Sequence, residues 1–234
     1  MPTSRRVSVA SPPVPSLWSR RRFLGAGAAL SAGAALGACS LNRGSTPDNS
    51  AEADEGAGFA GEVLDPPWAK PDVTFTALDG QPFPFVERTE GALSLLFFGY
   101  TNCPDICPVY LQTVASAREA IGTGPGSKPD VYFVGVDVAR DTPEVMETYL
   151  ANIDPTFVGL TGSIEAINAG LEAVYSPPVQ LGEPDADGAY EVGHAAYGTV
   201  YLGSDDKGHR RYPFGVRQQD WVRDLPRLEE GRFR

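Results

Sequence analysis

Two cysteines separated by three residues are the part of this sequence best suited to chemistry. Cys103 and Cys107 lie in the segment Thr101–Pro108, between an apolar run and a pattern typical of a helix. We expect both thiols where a strand ends and a helix begins, on one helical face because residues i and i+4 share a face. A helix N-terminus lowers a thiol pKa and favours the thiolate. The pair is therefore predicted to be exposed and activated.

Three interpretations of Cys103 and Cys107 remain open at this point: a buried structural pair, a dithiol/disulfide redox centre, and a metal site. The three intervening residues, one more than in thioredoxin-type motifs, leave room for a metal between the sulfurs. Two thiolates are too few for structural zinc, which takes four ligands. Soft thiolates suit copper(I), and an added imidazole suits copper in either oxidation state.

A third ligand would come from one of the 2 histidines. His194 precedes a predicted core strand, whereas His209 follows a polar turn and is expected to be exposed. Asp137 and Asp141 follow the second predicted buried strand, at the sheet edge where sites gather. They are candidates for groups that orient the ligands, and equally for helix capping and turn formation.

The elements that must position these residues alternate between strand and helix. Apolar runs of strand length, typical of strands buried on both faces, are separated by segments with helix-capping residues. A strand, helix, strand order predicts a parallel, right-handed crossover. The sequence therefore predicts a three-layer α/β domain, with strands at residues 73–78, 82–86, 93–100, 131–136, 157–160, 198–202 and 211–214 and helices at 108–121, 142–153, 163–175 and from 218.

Charge separates the N-terminal segment from the rest of the 234 residues. Residues 1–38 contain five arginines and no acidic residue, although the whole chain carries a net charge of -11. The basic stretch, the short Gly/Ala/Leu run and the small residues before Cys39 are typical of an export signal, and the run is short for a membrane-spanning helix. Clustered Lys and Arg are absent from the sequence beyond this segment, which argues against nucleic-acid binding.

Two motifs refine the export prediction. Arg20–Leu24 resembles the twin-arginine motif, and Leu36–Cys39 resembles a bacterial lipobox, in which the cysteine is acylated. We expect a signal at 1–38, a lipid anchor at Cys39, a flexible polar tether at 39–61 and a folded domain at 62–234. The domain would then lie at the extracytoplasmic face of a bacterial membrane.

Four segments in the same order resemble the Sco/SenC family. They are Phe98–Pro108, Asp137–Pro143, Leu160–Gly162 and Gly193–His194, and the resemblance covers about residues 71–214. It implies a thioredoxin-like fold with a central mixed sheet. It also implies a copper metallochaperone that serves the dinuclear copper A centre of cytochrome c oxidase, with an apo-oxidase subunit as partner.

By this resemblance Cys103, Cys107 and His194 would be the copper ligands. Two positions depart from the family's usual pattern, since Val138 replaces a proline and Gly193 replaces an aspartate. The alternative function is a thiol-disulfide reductase of exported proteins, which uses the same cysteines without His194. A third possibility is a binding module that only reuses the fold, which would need neither the two cysteines nor His194.

Overall fold

The computed structural model describes residues 58–122, 128–186, 189–193 and 196–234. Within them lie ten strands and five helices. The strands are β1 (Glu62–Ala69), β2 (Thr74–Ala77), β3 (Pro82–Pro84), β4 (Ser94–Gly99), β5 (Asp130–Gly135), β6 (Val158–Thr161), β7 (Gln180–Leu181), β8 (Val192–Gly193), β9 (Tyr197–Tyr201) and β10 (Lys207–Pro213). The helices are α1 (Phe85–Arg88), α2 (Ile106–Ile121), α3 (Pro143–Ala151), α4 (Ile164–Ala173) and α5 (Gln218–Glu229). No helix among the described residues has the length and apolar character needed to cross a membrane.

An eight-stranded mixed sheet forms the middle layer, in the order β1-β10-β9-β4-β5-β6-β2-β3. All six residues of β4 are buried, as expected for a strand covered on both faces. β4 pairs in parallel with β5 and antiparallel with β9, and β5 pairs in parallel with β6. The predicted central position of this strand and its parallel crossover through α2 are confirmed.

Helices cover both faces of the sheet. On one face, the Tyr110 ring of α2 stacks on Phe97 of β4 at 4.5 Å and meets Trp221 of α5 edge-on at 5.9 Å. On the other face, Gly170 of α4 lies directly against the rings of Phe75 and Phe98. These contacts confirm the predicted three layers.

The predicted helix starts are confirmed by their caps. The Thr142 side chain accepts a hydrogen bond from the amide of Val145, and that of Ser163 accepts one from Ala166. Such caps satisfy amides that have no partner within the helix. The Thr142 cap fixes the start of α3 at Pro143, two residues after Asp141 in the connection from β5.

Several parts of the fold differ from expectation. Phe85 and Val86, predicted at the end of a strand, begin the short helix α1, and β7 and β8 were not predicted. β1 was not predicted, because its two prolines interrupt both a continuous apolar run and an apolar/polar alternation. It nevertheless pairs with β10 at the edge of the sheet, and most of its residues are accessible. His209 is 3% exposed, not exposed as predicted, because β10 starts within the polar turn and carries it inward. Its Nε2 lies 2.8 Å from Oδ2 of Asp205 and its ring 3.9 Å from that of Phe233.

Candidate metal centre

The cysteine pair lies where β4 gives way to α2. Asp105 caps α2, and its side chain accepts a hydrogen bond from the amide of Ile106 at 2.6 Å. Cys107 is therefore in the first turn of α2, whereas Cys103 precedes the cap and belongs to the connecting loop. The expectation that both cysteines share one helical face is wrong; the turn of the loop brings Cys103 back over the helix start.

The two sulfurs lie together in a reduced, buried pair. The Cys107 amide donates a hydrogen bond to the Cys103 sulfur at 3.4 Å, and no disulfide joins the two residues. Cys103 is 8% exposed and Cys107 is fully buried, so the prediction of an exposed pair is wrong. The cause is the packing of the helix start against the sheet, which seals Cys107 under the loop.

The electrostatics of Cys107 also differ from expectation. The hydrogen bond with the Cys103 side chain, followed by burial, raises the pKa of the Cys107 thiol well above its usual value. The helix N-terminus was expected to lower it, but a thiol buried in apolar surroundings favours its neutral form. The Cys103 hydrogen bond and burial both favour the protonated Cys107 thiol over its thiolate.

Residues of β4 and the loop form the wall around the sulfurs. A Cβ at Gly99 would lie 3.0 Å from the Cys107 sulfur and 2.8 Å from the ring of Phe133. Burial, and then the neighbouring Cys103, raise the pKa of Tyr100 to about 12, so its phenol stays protonated beside the pair. Neither Gly99 nor Tyr100 was singled out from the sequence, because an apolar strand pattern does not mark the residue that faces a sulfur.

Asp141 fixes the loop that precedes the cysteines. Its Oδ1 accepts hydrogen bonds from the amide and the hydroxyl of Thr101, at 2.9 and 2.6 Å, and its Oδ2 accepts one from the amide of Asp137 at 3.3 Å. Burial raises the pKa of Asp141, and the bonds from Thr101 oppose that rise. Asp141 therefore lies near the Cys103–Cys107 pair. It also stabilises the turn between β5 and α3, which was the alternative role considered from the sequence.

Asp137 joins the same strand end to the segment that precedes His194. Its buried carboxylate accepts a hydrogen bond from the Tyr190 hydroxyl at 2.8 Å and one from Nε of Arg140. The Arg140 guanidinium lies 3.8 Å from the centre of the Tyr190 ring and donates to the Tyr190 carbonyl oxygen at 3.2 Å. We refer to Asp137, Arg140 and Tyr190 as the strand-end clamp. In the sequence, only the position of Arg140 three residues after Asp137 indicated that Arg140 could pair with this carboxylate.

His194 and Cys39, the remaining predicted site residues, lie outside the described residues. Among the described residues, no group of three or more His, Cys, Asp or Glu side chains could hold a metal ion. The paired sulfurs supply two soft ligands that fit copper(I). A third ligand, such as the predicted His194, would have to come from outside the described ranges or from a partner.

The fold and the site define a thioredoxin-like protein with a reduced dithiol at the carboxyl end of a central strand. The chain belongs to the SCO1/SenC family, whose model matches residues 69–229. A protein of Stutzerimonas stutzeri named "Putative copper-binding protein" is 34% identical over 62% of this chain and 70% of its own length. The mitochondrial SCO2 homologue of Bos taurus is also 34% identical, over 62% of this chain, which spans about half (53%) of that relative.

Solved structures agree with this family. Bradyrhizobium japonicum ScoI with copper bound is 28% identical, with a TM-score of 0.58 over 69% of this chain and 97% of that one. BsSco is described as a member of the Sco family of cytochrome c oxidase assembly proteins. At 20% identity and a TM-score of 0.55 over 73% of this chain and 97% of that one, it supports the fold alone.

Proposed function

We propose that this chain is an exported, membrane-anchored copper chaperone that delivers copper to the copper A centre of cytochrome c oxidase. The observation that carries the proposal is the reduced Cys103–Cys107 pair, held together at the start of α2. Membership of the SCO1/SenC family and the copper-bound relative from Bradyrhizobium japonicum support copper as the cargo. The recipient follows from the family resemblance.

Copper would be held by the Cys103 and Cys107 thiolates and by the His194 imidazole. Binding releases protons, because a thiolate and not a thiol is the metal ligand. Because the pKa of the Cys107 thiol is raised, copper must displace a proton from it on binding. Copper(I) supplies the positive charge that replaces the proton. It is a soft ion that prefers soft ligands such as the two thiolates.

Transfer to the oxidase subunit requires the recipient's ligands to reach the copper. The small exposure of Cys103 makes its sulfur the point of access, whereas Cys107 is sealed by the sheet and the loop. The recipient would displace the ligands one at a time, ending with Cys107. Cleavage before Cys39 would remove five arginines and leave 14 basic against 30 acidic residues, a net charge of -16 that suits a basic surface on the recipient.

Copper stoichiometry of the reduced chain tests this proposal. We expect one copper per chain, loss of binding in Cys103→Ser and Cys107→Ser, and weaker binding, above all of copper(II), in His194→Ala. Cys39→Ser is the matched control, because it removes the third cysteine of the sequence while leaving the pair intact. His209→Gln controls for loss of an imidazole elsewhere. A folded, reduced chain that binds no copper contradicts the proposal.

Export and anchoring are tested separately. We expect the cell to cleave the chain before Cys39 and to attach lipid to it, so that the domain fractionates with membranes. Mass spectrometry of the isolated protein identifies the modified N-terminus. Cys39→Ser should release the domain from the membrane without altering copper binding, and a membrane-bound Cys39→Ser protein contradicts the lipid anchor.

A thiol-disulfide reductase is the second candidate, favoured by the unequal burial of the two thiols. The more accessible Cys103 would attack a disulfide of the exported substrate, and Cys107 would resolve the mixed disulfide, leaving the pair oxidised and the substrate reduced. This reaction does not use His194. Unchanged disulfide reduction in His194→Ala, in a chain that binds no copper, would favour the reductase.

A further inference from the structure

The hairpin formed by β7 and β8 is too small to hold its own position on the domain. It is a two-stranded sheet separate from the main one, with two residue pairs, Gln180–Gly193 and Leu181–Val192. Val192 is the only buried residue of these four. Isolated two-stranded hairpins are marginally stable at best in water. The position of the hairpin therefore depends on contacts outside it.

The strand-end clamp supplies such contacts just before β8 begins. The Arg140 guanidinium lies 3.8 Å from the centre of the Tyr190 ring, within the range of a cation–π interaction, and donates to the Tyr190 carbonyl oxygen at 3.2 Å. Arg140 also donates to the buried Asp137 carboxylate, which accepts the Tyr190 hydroxyl at 2.8 Å. Both the backbone and the side chain of Tyr190 are thus bound to the connection that follows β5.

The same connection is bound to the loop that carries the first cysteine. The Asp137 amide donates to Oδ2 of Asp141 at 3.3 Å, and Oδ1 of Asp141 accepts two hydrogen bonds from Thr101. On the other side, Tyr190 lies four residues before His194, which directly follows β8 in the chain. The clamp therefore joins the segment before His194 to the connection that also holds the cysteine loop.

We propose that Arg140 is a positioning residue of the copper site, which orders the segment before His194 in the metal-free chain. The inference rests on the proposed function, in which His194 is the third ligand. A ligand on a segment that is already ordered loses less conformational entropy when it binds a metal. Arg140 thus strengthens copper binding that uses the imidazole, above all that of copper(II), more than copper(I) binding by the two soft thiolates.

Arg140→Lys in the full-length chain tests this inference, and Arg118→Lys is the matched control. Lysine keeps the positive charge but lacks the planar group that stacks on a ring and donates in several directions. Arg118 makes the same kinds of contact, donating to Asp154 and to Oγ1 of Thr156 at 2.9 Å. Its guanidinium lies 5.2 Å from the centre of the Phe157 ring. This second cluster lies just before β6, at the opposite end of the parallel strands from the cysteines.

Hydrogen exchange of the metal-free chain measures the order of the segment without copper. The Gly182 amide reports on it, because it donates to the Glu191 carbonyl oxygen at 2.8 Å, next to Tyr190. We expect its exchange to become about 10-fold faster in Arg140→Lys, because the segment opens more often without the clamp. Exchange at the same amide should be unchanged in Arg118→Lys.

Copper(II) and copper(I) affinities, measured by competition with chelators selective for each ion, give the second readout. We expect Arg140→Lys to weaken copper(II) binding about 10-fold, equivalent to about 1.4 kcal/mol, which is the backbone entropy of about one residue. Copper(I) affinity should change less. In a His194→Ala background, Arg140→Lys should have no further effect on copper(II), since the ligand through which it acts is gone. Tyr190→Phe keeps the stacked ring and should shift both readouts in the same direction by less.

Three results would overturn the inference. The first is wild-type exchange at Gly182 in Arg140→Lys or, if that variant does not fold, in Tyr190→Phe. The second is an equal change in Arg118→Lys, which would assign the effect to general loss of stability. The third is an undiminished effect of Arg140→Lys on copper(II) in the His194→Ala background. All three leave the proposed function standing, whereas a wild-type chain that binds no copper overturns both.

Discussion

The hydroxyl of Thr101 should control the stability of the loop that carries Cys103. It donates to Oδ1 of Asp141 at 2.6 Å, and the Thr101 amide donates to the same oxygen at 2.9 Å. Thr101→Val removes the first bond, keeps the second, and changes the side-chain shape very little. The variant therefore isolates one hydrogen bond between the loop and the end of β5.

The expected cost follows from the type of bond. A hydrogen bond to a charged group contributes about 1.5–3 kcal/mol, and the Asp141 carboxylate is almost fully buried, so water cannot replace the lost donor. We therefore expect the free energy of unfolding to fall by about 2 kcal/mol. For a domain of this size that corresponds to a decrease in Tm of about 4–8 °C.

The pH dependence gives a second readout with a definite sign. Burial raises the pKa of Asp141 above its usual value, and the Thr101 bonds oppose this rise by favouring the carboxylate. Removing the hydroxyl raises that pKa further. The stability difference between wild type and Thr101→Val is then fully present above the variant's pKa, and it is lost as the pH falls through the wild-type pKa of Asp141.

Urea unfolding of both proteins at several pH values measures these effects, and Thr148→Val is the control. The Thr148 hydroxyl also makes one hydrogen bond, to the uncharged carbonyl oxygen of Glu144 at 2.9 Å, but at an exposed site. We expect a smaller loss there, below about 1 kcal/mol, because water replaces the donor. Equal losses at both sites, or a loss at Thr101 that grows as Asp141 is protonated, would refute the reasoning.

Two further substitutions test the wall and the strand-end clamp. Gly99→Ala would place a methyl group 3.0 Å from the Cys107 sulfur, so we expect about 1–3 kcal/mol of destabilisation by urea unfolding and weaker copper binding. Gly162→Ala is its control, since the nearest atom there is at 3.6 Å, and an equal effect would contradict the steric argument. Tyr190→Phe removes the donor to the buried Asp137 carboxylate at 2.8 Å and should cost about 1–3 kcal/mol. Unchanged thermal stability would show that the hydrogen bond from Tyr190 to Asp137 contributes nothing to stability.

The strands and helices of the core were predictable because each carries a local signal. β4 is a continuous apolar run and all of it is buried, and Thr142 and Ser163 cap the helices that follow them. The strands predicted at 73–78 and 82–86 contain β2 and β3, which pair antiparallel, and Gly80 between them has a positive φ of 80°, which glycine adopts readily in a tight turn. In each case the deciding interactions lie within a few residues of the chain.

The burial of the site was not predictable, because it depends on contacts between distant segments. The sequence placed Cys107 at a helix start, but the sheet side of that helix is closed by Gly99 and Phe133. His209 looked exposed because its neighbours in sequence are polar, yet Phe233 at the C-terminus covers it. A residue's environment is set by what packs on it, and this information is spread over the whole chain.

The strand ends of β4 and β5 combine structural and chemical roles, which explains why their polar residues could be interpreted in two ways. Asp141 joins the loop of Cys103 to the start of α3, and Asp137 joins the same region to Tyr190. Tyr190 precedes β8, and His194 is the next residue in the chain after that strand. A substitution in the strand-end clamp is therefore expected to affect the segment before His194, the proposed third ligand. A substitution of Thr101 is expected to affect the loop before Cys103, the proposed first ligand. The two aspartates thus bind Thr101 and Tyr190, which come shortly before the predicted ligands Cys103 and His194 in the chain.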